Sequence, residues 1–409
     1  MRAVQFDLTI PKYVWTKAMG KVHPSLYVHG PKTCVDIKTV PKPTLPADDW
    51  VEISVTYGGI CGSDLHLVSL RDSPATSPFV SFPFTIGHEM VGTVTKIGPG
   101  VRRDLFVGDR VVIDPILSCE TRAITSPCHS CADGNFNLCH HMTSGSLSPG
   151  LLTGACKDTG GSWGEYLVAH ESQVIVLPDT VDDKNGVLVE PFTCALHTVL
   201  QNKPKRTDTV FVIGAGVIGI CLVAAIKALH LKCKIVVLVK YPFQAELAIT
   251  YGADDVVYLT KNEDYVYDAV KLLKAKALKP IIGEAVVDGG ADIVFECVGS
   301  KKSLQDSLRF ARKGGTVALL GLANVIDQLD LTMVWLNELI IKGSFAYGSD
   351  NYLGETKRTM QIAVDLLSER QIDLSPLITH TFPLVRYREA IAIASNKTKD
   401  HSIKVVLTP

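Results

Sequence analysis

Neither sign of charge dominates this sequence: 41 lysines and arginines stand against 42 aspartates and glutamates, a net charge of −1 over 409 residues. Without a basic excess no surface is expected to gather a polyanion, so nucleic acid is excluded as a partner class. The one compact basic run, Lys203-Pro204-Lys205-Arg206, reads as a solvated turn. An export signal is missing as well: Met1 to Gly20 carry charges and Pro11 but no apolar core. The eleven cysteines are therefore expected to be thiols and metal ligands in a reducing compartment, the cytoplasm, rather than disulfides. Long apolar runs are scarce. Only Phe211 to Leu229 approaches a membrane span, and three glycines and a lysine interrupt it. Internal repeats and low-complexity segments are absent too.

What remains is ordinary globular material, 46% hydrophobic and 20% charged. At this length one simple core is not enough, and two domains are expected. The first third reads as short strands separated by turns. Val51 to Tyr57 alternates apolar and polar residues, Met90 to Ile97 does so up to the turn Gly98-Pro99-Gly100, and Val107 to Ile113 runs from a turn into a strand. Ser69 to Ser81 reads as a surface loop. The texture changes near residue 190, where Glu190-Pro191 opens a helix. Beyond it, strands at Val210–Ile213, Lys234–Val239, Asp255–Leu259, Ile293–Cys297 and Thr316–Leu320 alternate with helical stretches, the pattern of a doubly wound parallel sheet. After Gly343 the chain is expected to return to the first domain, with a helix over Lys357–Leu367 and a closing strand over Lys404–Leu407.

Three stretches carry chemistry. Gly59-Ile60-Cys61-Gly62-Ser63-Asp64-Leu65-His66 is followed by Gly87-His88-Glu89, which places a thiol, an imidazole and a carboxylate in one region. The distance between Cys61 and His88 argues against a zinc finger, whereas a mixed set with an open position is what a catalytic zinc requires. Taken alone, a buried cysteine and a hydrogen-bonded histidine are the plainer reading. The second stretch is Cys128-x2-Cys131-x7-Cys139, preceded by Cys119. Two thiols at i and i+3 in a turn-rich loop can aim both sulfurs at one point, and four thiolates make a closed structural zinc site. His129, His140 and His141 are alternative ligands, and the plainer reading makes Cys119 a bystander and the loop free of metal. The third is Gly214-Ala215-Gly216-Val217-Ile218-Gly219, with a strand before it and a helix after it, the setting in which glycines let a pyrophosphate approach the chain.

In this order the motifs resemble the zinc-dependent medium-chain dehydrogenase/reductase family, in particular its polyol and threonine dehydrogenase branch, where a Glu-Pro pair supplies a metal carboxylate. The resemblance implies an α/β protein: a GroES-like β-rich catalytic domain over residues 1–195 with the cysteine lobe near 119–139, a Rossmann domain over 196–345, and a return to the catalytic domain over 346–409. It implies Cys61, His88 and Glu190 as ligands of a catalytic zinc, Glu89 as a neighbour able to exchange onto the metal, and Asp64 as the carboxylate that orients a ligand histidine. Cys194, one helical turn after Glu190, reads as a core residue. The activity implied is reversible hydride transfer between an alcohol or polyol and a nicotinamide cofactor, the zinc polarising the substrate oxygen. Ser63 would take the hydroxyl proton and His66 pass it to solvent. Relatives form dimers and tetramers, so a homo-oligomer is expected. The rivals are a zinc-free enoyl or quinone reductase on the same fold and a non-enzymatic cofactor-binding protein. This sequence departs from the family's pattern in the wide spacing of Cys119 and Cys128, in a longer N-terminal arm and in the enlarged 69–81 loop.

Cofactor choice turns on another absence. No Asp or Glu lies between Gly219 and Gln244, although an acidic side chain at the tip of the second Rossmann strand is what binds the ribose 2′-hydroxyl. Val239 or Lys240 stands there, followed by Tyr241. A cation in place of a carboxylate predicts a preference for NADP(H) over NAD(H), with Lys404 a further candidate contact for a cofactor phosphate.

Overall fold

The computed structural model describes residues 1–30 and 32–409. It divides into two compact units, Met1–Glu190 with Met360–Pro409, and Pro191–Thr359.

The first unit is built on a seven-stranded sheet. Trp50–Gly59 is its longest strand and pairs antiparallel with Met90–Ile97 and Tyr166–His170. The alternation that marked residues 51–57 has its cause here: Val51, Ile53 and Val55 point into a core with Val94, Leu167 and Val174, while Glu52 and Ser54 between them are only half-buried. The closing strand, Lys404–Thr408, pairs antiparallel with the far end of Trp50–Gly59, Val406 opposite Gly59. A second, three-stranded sheet joins Arg2–Phe6 to Val35–Thr39 and Phe84–Thr85. Between its first two strands the N-terminal arm forms a helix, Ile10–Val22, with Thr9 Oγ1 accepting from the Lys12 amide and Pro11 in the first turn. The 69–81 loop is exposed over most of its length and contains one short 3-10 turn, Pro74–Phe79.

The second unit is a six-stranded, wholly parallel sheet. Its order is Asp255–Tyr258, Lys234–Val239, Thr209–Ile213, Ala291–Glu296, Ala311–Leu319, Ile340–Gly343. The two middle strands lie side by side although the chain between them visits two others, the order expected of a doubly wound sheet. Phe211, Val236, Val294 and Val317 are fully buried, which is why these strands read as continuous apolar runs. The apolar run 211–229 is this first strand, its turn and the buried helix Val217–Ala228. Among the described residues no helix is long and apolar enough to cross a membrane.

The units divide at Glu190 and Thr359 rather than at 195 and 345. Residues 346–359 belong to the second unit. They form a hairpin, Ser349–Tyr352 with Glu355–Arg358, and the buried Asp350 carboxylate accepts from His197 Nδ1 at 2.7 Å, Gln201 Nε2 at 2.7 Å and Thr359 Oγ1 at 2.7 Å. Those bonds hold the segment to the helix Val189–Gln201. For the same reason Lys357 and Arg358 lie in a strand, and the helix expected from Lys357 begins at Thr359.

Candidate active site and metal centre

The strand Trp50–Gly59 delivers the chain directly to Cys61, which caps the short helix Gly62–Val68. The cap is closed from the side chain of Asp64, whose Oδ2 accepts from the Cys61 amide at 2.8 Å. Asp64 Oδ1 lies 3.8 Å from His88 Nδ1. A carboxylate opposite Nδ1 favours a proton there and leaves Nε2 with its lone pair; Ser63 Oγ sits 3.5 Å from that nitrogen. Burial lifts Asp64 to about 6. Burial also opposes a charge on His88, but Asp64, Cys61 and Glu190 outweigh it and hold its pKa well above the usual imidazole value. The groups around His88 therefore favour positive charge at this point. Such a place suits a cation, and the donor set of thiol, imidazole and carboxylate suits zinc. Cys61, His88 and Glu190 thus act on one another. Their ligand atoms are less tightly gathered than those of the cysteine lobe, which is the one set of three or more within 4.8 Å of one another among the described residues.

Glu89 and Lys404 were expected in other roles. Both are fully buried. Lys404 Nζ donates to both carboxylate oxygens of Glu89, at 2.8 and 2.5 Å, and to the Ile60 carbonyl at 3.2 Å. Burial works against the lysine's charge, yet Glu89, Cys61 and Glu190 keep its pKa above the ordinary value. Lys404 therefore presents no exposed ammonium to a cofactor phosphate, and Glu89 is held by a cation already in place rather than turned to a metal. The pairing follows from the sheet: Gly58 stands opposite Met90 on one side and Leu407 on the other. Gly59 makes room for it, since a Cβ there would come within 2.0 Å of Glu89 Oε2.

The cysteine lobe is assembled as a closed centre. Cys119, Cys128, Cys131 and Cys139 each offer a sulfur within 4.8 Å of the others, and Cys119 Sγ lies 3.6 Å from Cys139 Sγ. Cys119 thus joins the set in spite of its spacing. Backbone amides of Cys128, His140 and His141 point at the sulfurs of Cys119, Cys128 and Cys139, at 3.3, 3.4 and 3.3 Å. Burial raises Cys128, but the amide of His140 and its neighbours bring it down to about 6. Burial pushes Cys139 up to about 11 and Cys131 higher still. Four crowded sulfurs cannot all ionise without a cation among them, and a tetrahedral zinc fits both donors and spacing. The side chains of His129 and His140 are turned elsewhere, to Asp133 and Ser130.

Residues 47–179 match the family model described as the alcohol dehydrogenase GroES-like domain, and residues 217–369 match that of the zinc-binding dehydrogenase. A D-xylulose reductase A from Arthroderma otae is 32% identical over 83% of this chain and 85% of its own. The chain belongs to the zinc-dependent medium-chain dehydrogenase family. The sorbitol dehydrogenase of Bacillus subtilis is 28% identical over 92% of this chain and 94% of its own. Among solved structures, a zinc-binding dehydrogenase from Sinorhizobium meliloti bound to NADP superposes with a TM-score of 0.70 at 27% identity, covering 92% of this chain and 96% of that one.

A dehydrogenase of this family works with zinc and a nicotinamide cofactor, and the glycine turn is formed accordingly. Gly214 has a φ of +97°, and a Cβ on Gly219 would meet the Gly214 carbonyl oxygen at 1.9 Å. The helix Val217–Ala228 can pack onto its strand only with glycine at both positions. Gly216 is its N-cap. The second strand ends at the buried Val239, and Lys240 beyond it is exposed. Tyr241 stacks on Phe243 with ring centroids 5.6 Å apart, and Lys240 Nζ lies 5.3 Å from the Tyr241 centroid. Two features of this dehydrogenase gave no sequence signal: the Lys404–Glu89 pair and the Asp350 carboxylate on His197. Only a charged residue heading an apolar terminal strand could have pointed to the first.

Proposed function

We propose that this dehydrogenase interconverts a hydroxyl of a polyol and the corresponding carbonyl, with NADP(H) as the preferred nicotinamide. The observation that carries the reading is the arrangement about His88, with Asp64 Oδ1 3.8 Å from Nδ1 and Ser63 Oγ 3.5 Å from Nε2 next to the Cys61 thiol, a donor set that a zinc-free reductase does not need. Polyol substrates are suggested by the relatives, named for xylulose and sorbitol. Cys61, His88 and Glu190 hold the metal, which when bound polarises the substrate oxygen, while the nicotinamide carries the hydride. Ser63, beside His88 Nε2, takes the hydroxyl proton. His66, half-buried and lowered in pKa by burial and then by Arg71, stays neutral near pH 7 and accepts it. A panel of polyols, secondary alcohols and aldehydes assayed with both nicotinamides tests the reading; no turnover of any polyol would refute it. In the same panel His66→Gln should slow alcohol oxidation on the order of 10²-fold near neutral pH, with zinc content unchanged. Equal rates from pH 6 to 8 would remove His66 from the relay.

The NADP(H) preference is supported by the exposed Lys240 at the tip of Lys234–Val239 and by the lack of any Asp or Glu between Gly219 and Gln244. Wild-type kcat/KM should favour NADP at least tenfold, about 1.4 kcal/mol, and Lys240→Asp should move selectivity toward NAD. A tenfold wild-type preference for NAD would end this assignment.

We further propose that the protein is a homo-oligomer, a dimer or tetramer. Ile340–Gly343 closes the parallel sheet with every residue exposed. Ile340, Trp335, Leu336 and Leu331 are each more than half exposed beside or near that edge, a strand end that water alone covers poorly. Sedimentation at micromolar concentration should show no monomer; a single monomeric species would exclude the association.

A further inference from the structure

Arg122 lies in the segment 120–127 that separates Cys119 from Cys128, where the family resemblance leads one to expect only a short link. It is fully buried. Its Nε donates to the Leu117 carbonyl at 3.0 Å, Nη1 to Ser144, Leu147 and Ser148 at 3.0, 3.1 and 3.3 Å, and Nη2 to Ser148 and Gly150 at 3.3 and 2.7 Å. One side chain thus fastens the inserted segment to the two stretches of backbone that frame the cysteine lobe. Its own backbone is tied to the lobe through the Cys119 carbonyl, which accepts from the Arg122 amide at 3.2 Å and from Ile124 at 3.0 Å. Ile124 in turn packs on the cluster of Cys119, Cys131, Cys139 and Met142.

The guanidinium has carbonyl partners alone; no carboxylate is within ion-pair distance of it among the described residues, and a buried cation is expensive without a nearby negative charge. Burial lowers its basicity, and Cys156, Cys139, Asp158 and Cys119 offset that only in part. Two of the four belong to the metal centre. Four thiolates around one divalent ion carry an excess of negative charge, so the cluster and the arginine each hold what the other lacks.

We propose that Arg122 is a positioning and charge-compensating residue of the four-cysteine metal centre: it holds the inserted segment against the lobe and supplies the buried cation beside which four thiolates remain ionised on one metal. The assignment goes beyond the proposed reaction and is independent of the substrate, of the nicotinamide and of the Cys61 site.

The test is release of zinc from the intact protein to a chelator, followed by a metallochromic dye, in wild type, Arg122→Lys and Arg122→Met. Partners that support metal ligands are worth about 10- to 100-fold in affinity. Arg122→Met should accordingly lose one of its two zinc ions at least about tenfold faster than wild type, with the other released at the wild-type rate. Arg122→Lys keeps the charge with fewer donors, and its release should stay within about threefold of wild type. With cobalt in the lobe, the sulfur-to-cobalt absorption should shift in the Met variant and not in the Lys variant, which loosened packing alone would not produce. Equal release from all three proteins would overturn the proposal, as would a Lys variant that loses zinc as fast as the Met variant. The Lys comparison decides the matter if Arg122→Met does not fold. A wild-type protein with no metal on the four cysteines would overturn it too, and would leave the reaction proposed above untouched.

Discussion

Cys61→Ser is expected to give a folded protein with one zinc per chain in place of two and turnover reduced by at least about 10³-fold, the loss of roughly 4 kcal/mol of transition-state stabilisation. The reasoning is positional. Cys61 is half-exposed at the cap of a short helix, and that cap is closed by its own amide on Asp64, a bond that a serine preserves. The thiol's contribution is therefore to the metal rather than to the fold, and Tm should move by no more than a few degrees. Cys131 is the contrasting case. It is buried in the four-sulfur cluster, where metal binding contributes directly to folding free energy, so the same substitution there should lower Tm markedly and release zinc from the lobe. A Cys61→Ser protein that keeps two zinc ions and wild-type rates would remove the thiol from the site.

Lys404→Met is expected to destabilise the protein by about 3–5 kcal/mol, the usual consequence of leaving one member of a buried ion pair without the other. Glu89, fully buried just before its strand, would then lose the ammonium that both its oxygens accept from. Removing both charges should repair most of this: Lys404→Met combined with Glu89→Leu is expected to recover to within about 1–2 kcal/mol of wild type, because a well-packed apolar pair often matches a buried ionic one. Urea unfolding of the two singles and the double completes the cycle. If Lys404→Met alone lies within about 0.5 kcal/mol of wild type, the pair carries no structural weight.

The parts of this protein that were legible in sequence are those set by local chemistry. Gly214 and Gly219 could be read because a positive φ and a contact with no room for a Cβ each admit one residue type. Cys128 and Cys131 could be read because their spacing is itself the geometry of a two-sulfur turn. Strands such as Met90–Ile97 and Lys234–Val239 were placed to the residue by alternation or by continuous apolarity. What escaped depends on partners remote in the chain. Lys404 and Glu89 are 315 residues apart, and a lysine before three apolar residues looks like the exposed end of a strand. The helix Ile10–Val22 leaves Ile10, Val14 and Val22 exposed, so its apolar pattern does not point inward and gave no helical signal. Residues 346–359 were assigned to the wrong unit because the carboxylate that holds them, Asp350, finds its donors on a helix that begins near residue 190. The inclusion of Cys119 could be decided only in three dimensions, since a spacing that has been widened by an insertion no longer specifies where the sulfur ends up.

The first unit is interrupted in sequence by the whole of the second, and this sets an order of events during synthesis. Residues 191–359 form an unbroken stretch that can complete its sheet as it leaves the ribosome, whereas the sheet carrying Cys61 and His88 lacks a strand until Lys404–Thr408 emerges. Until then Glu89 has no counterion, and a carboxylate destined for full burial keeps water about itself. The nascent first unit therefore lacks both its closing strand and the ammonium that pairs with Glu89 until the whole of the second unit has been made.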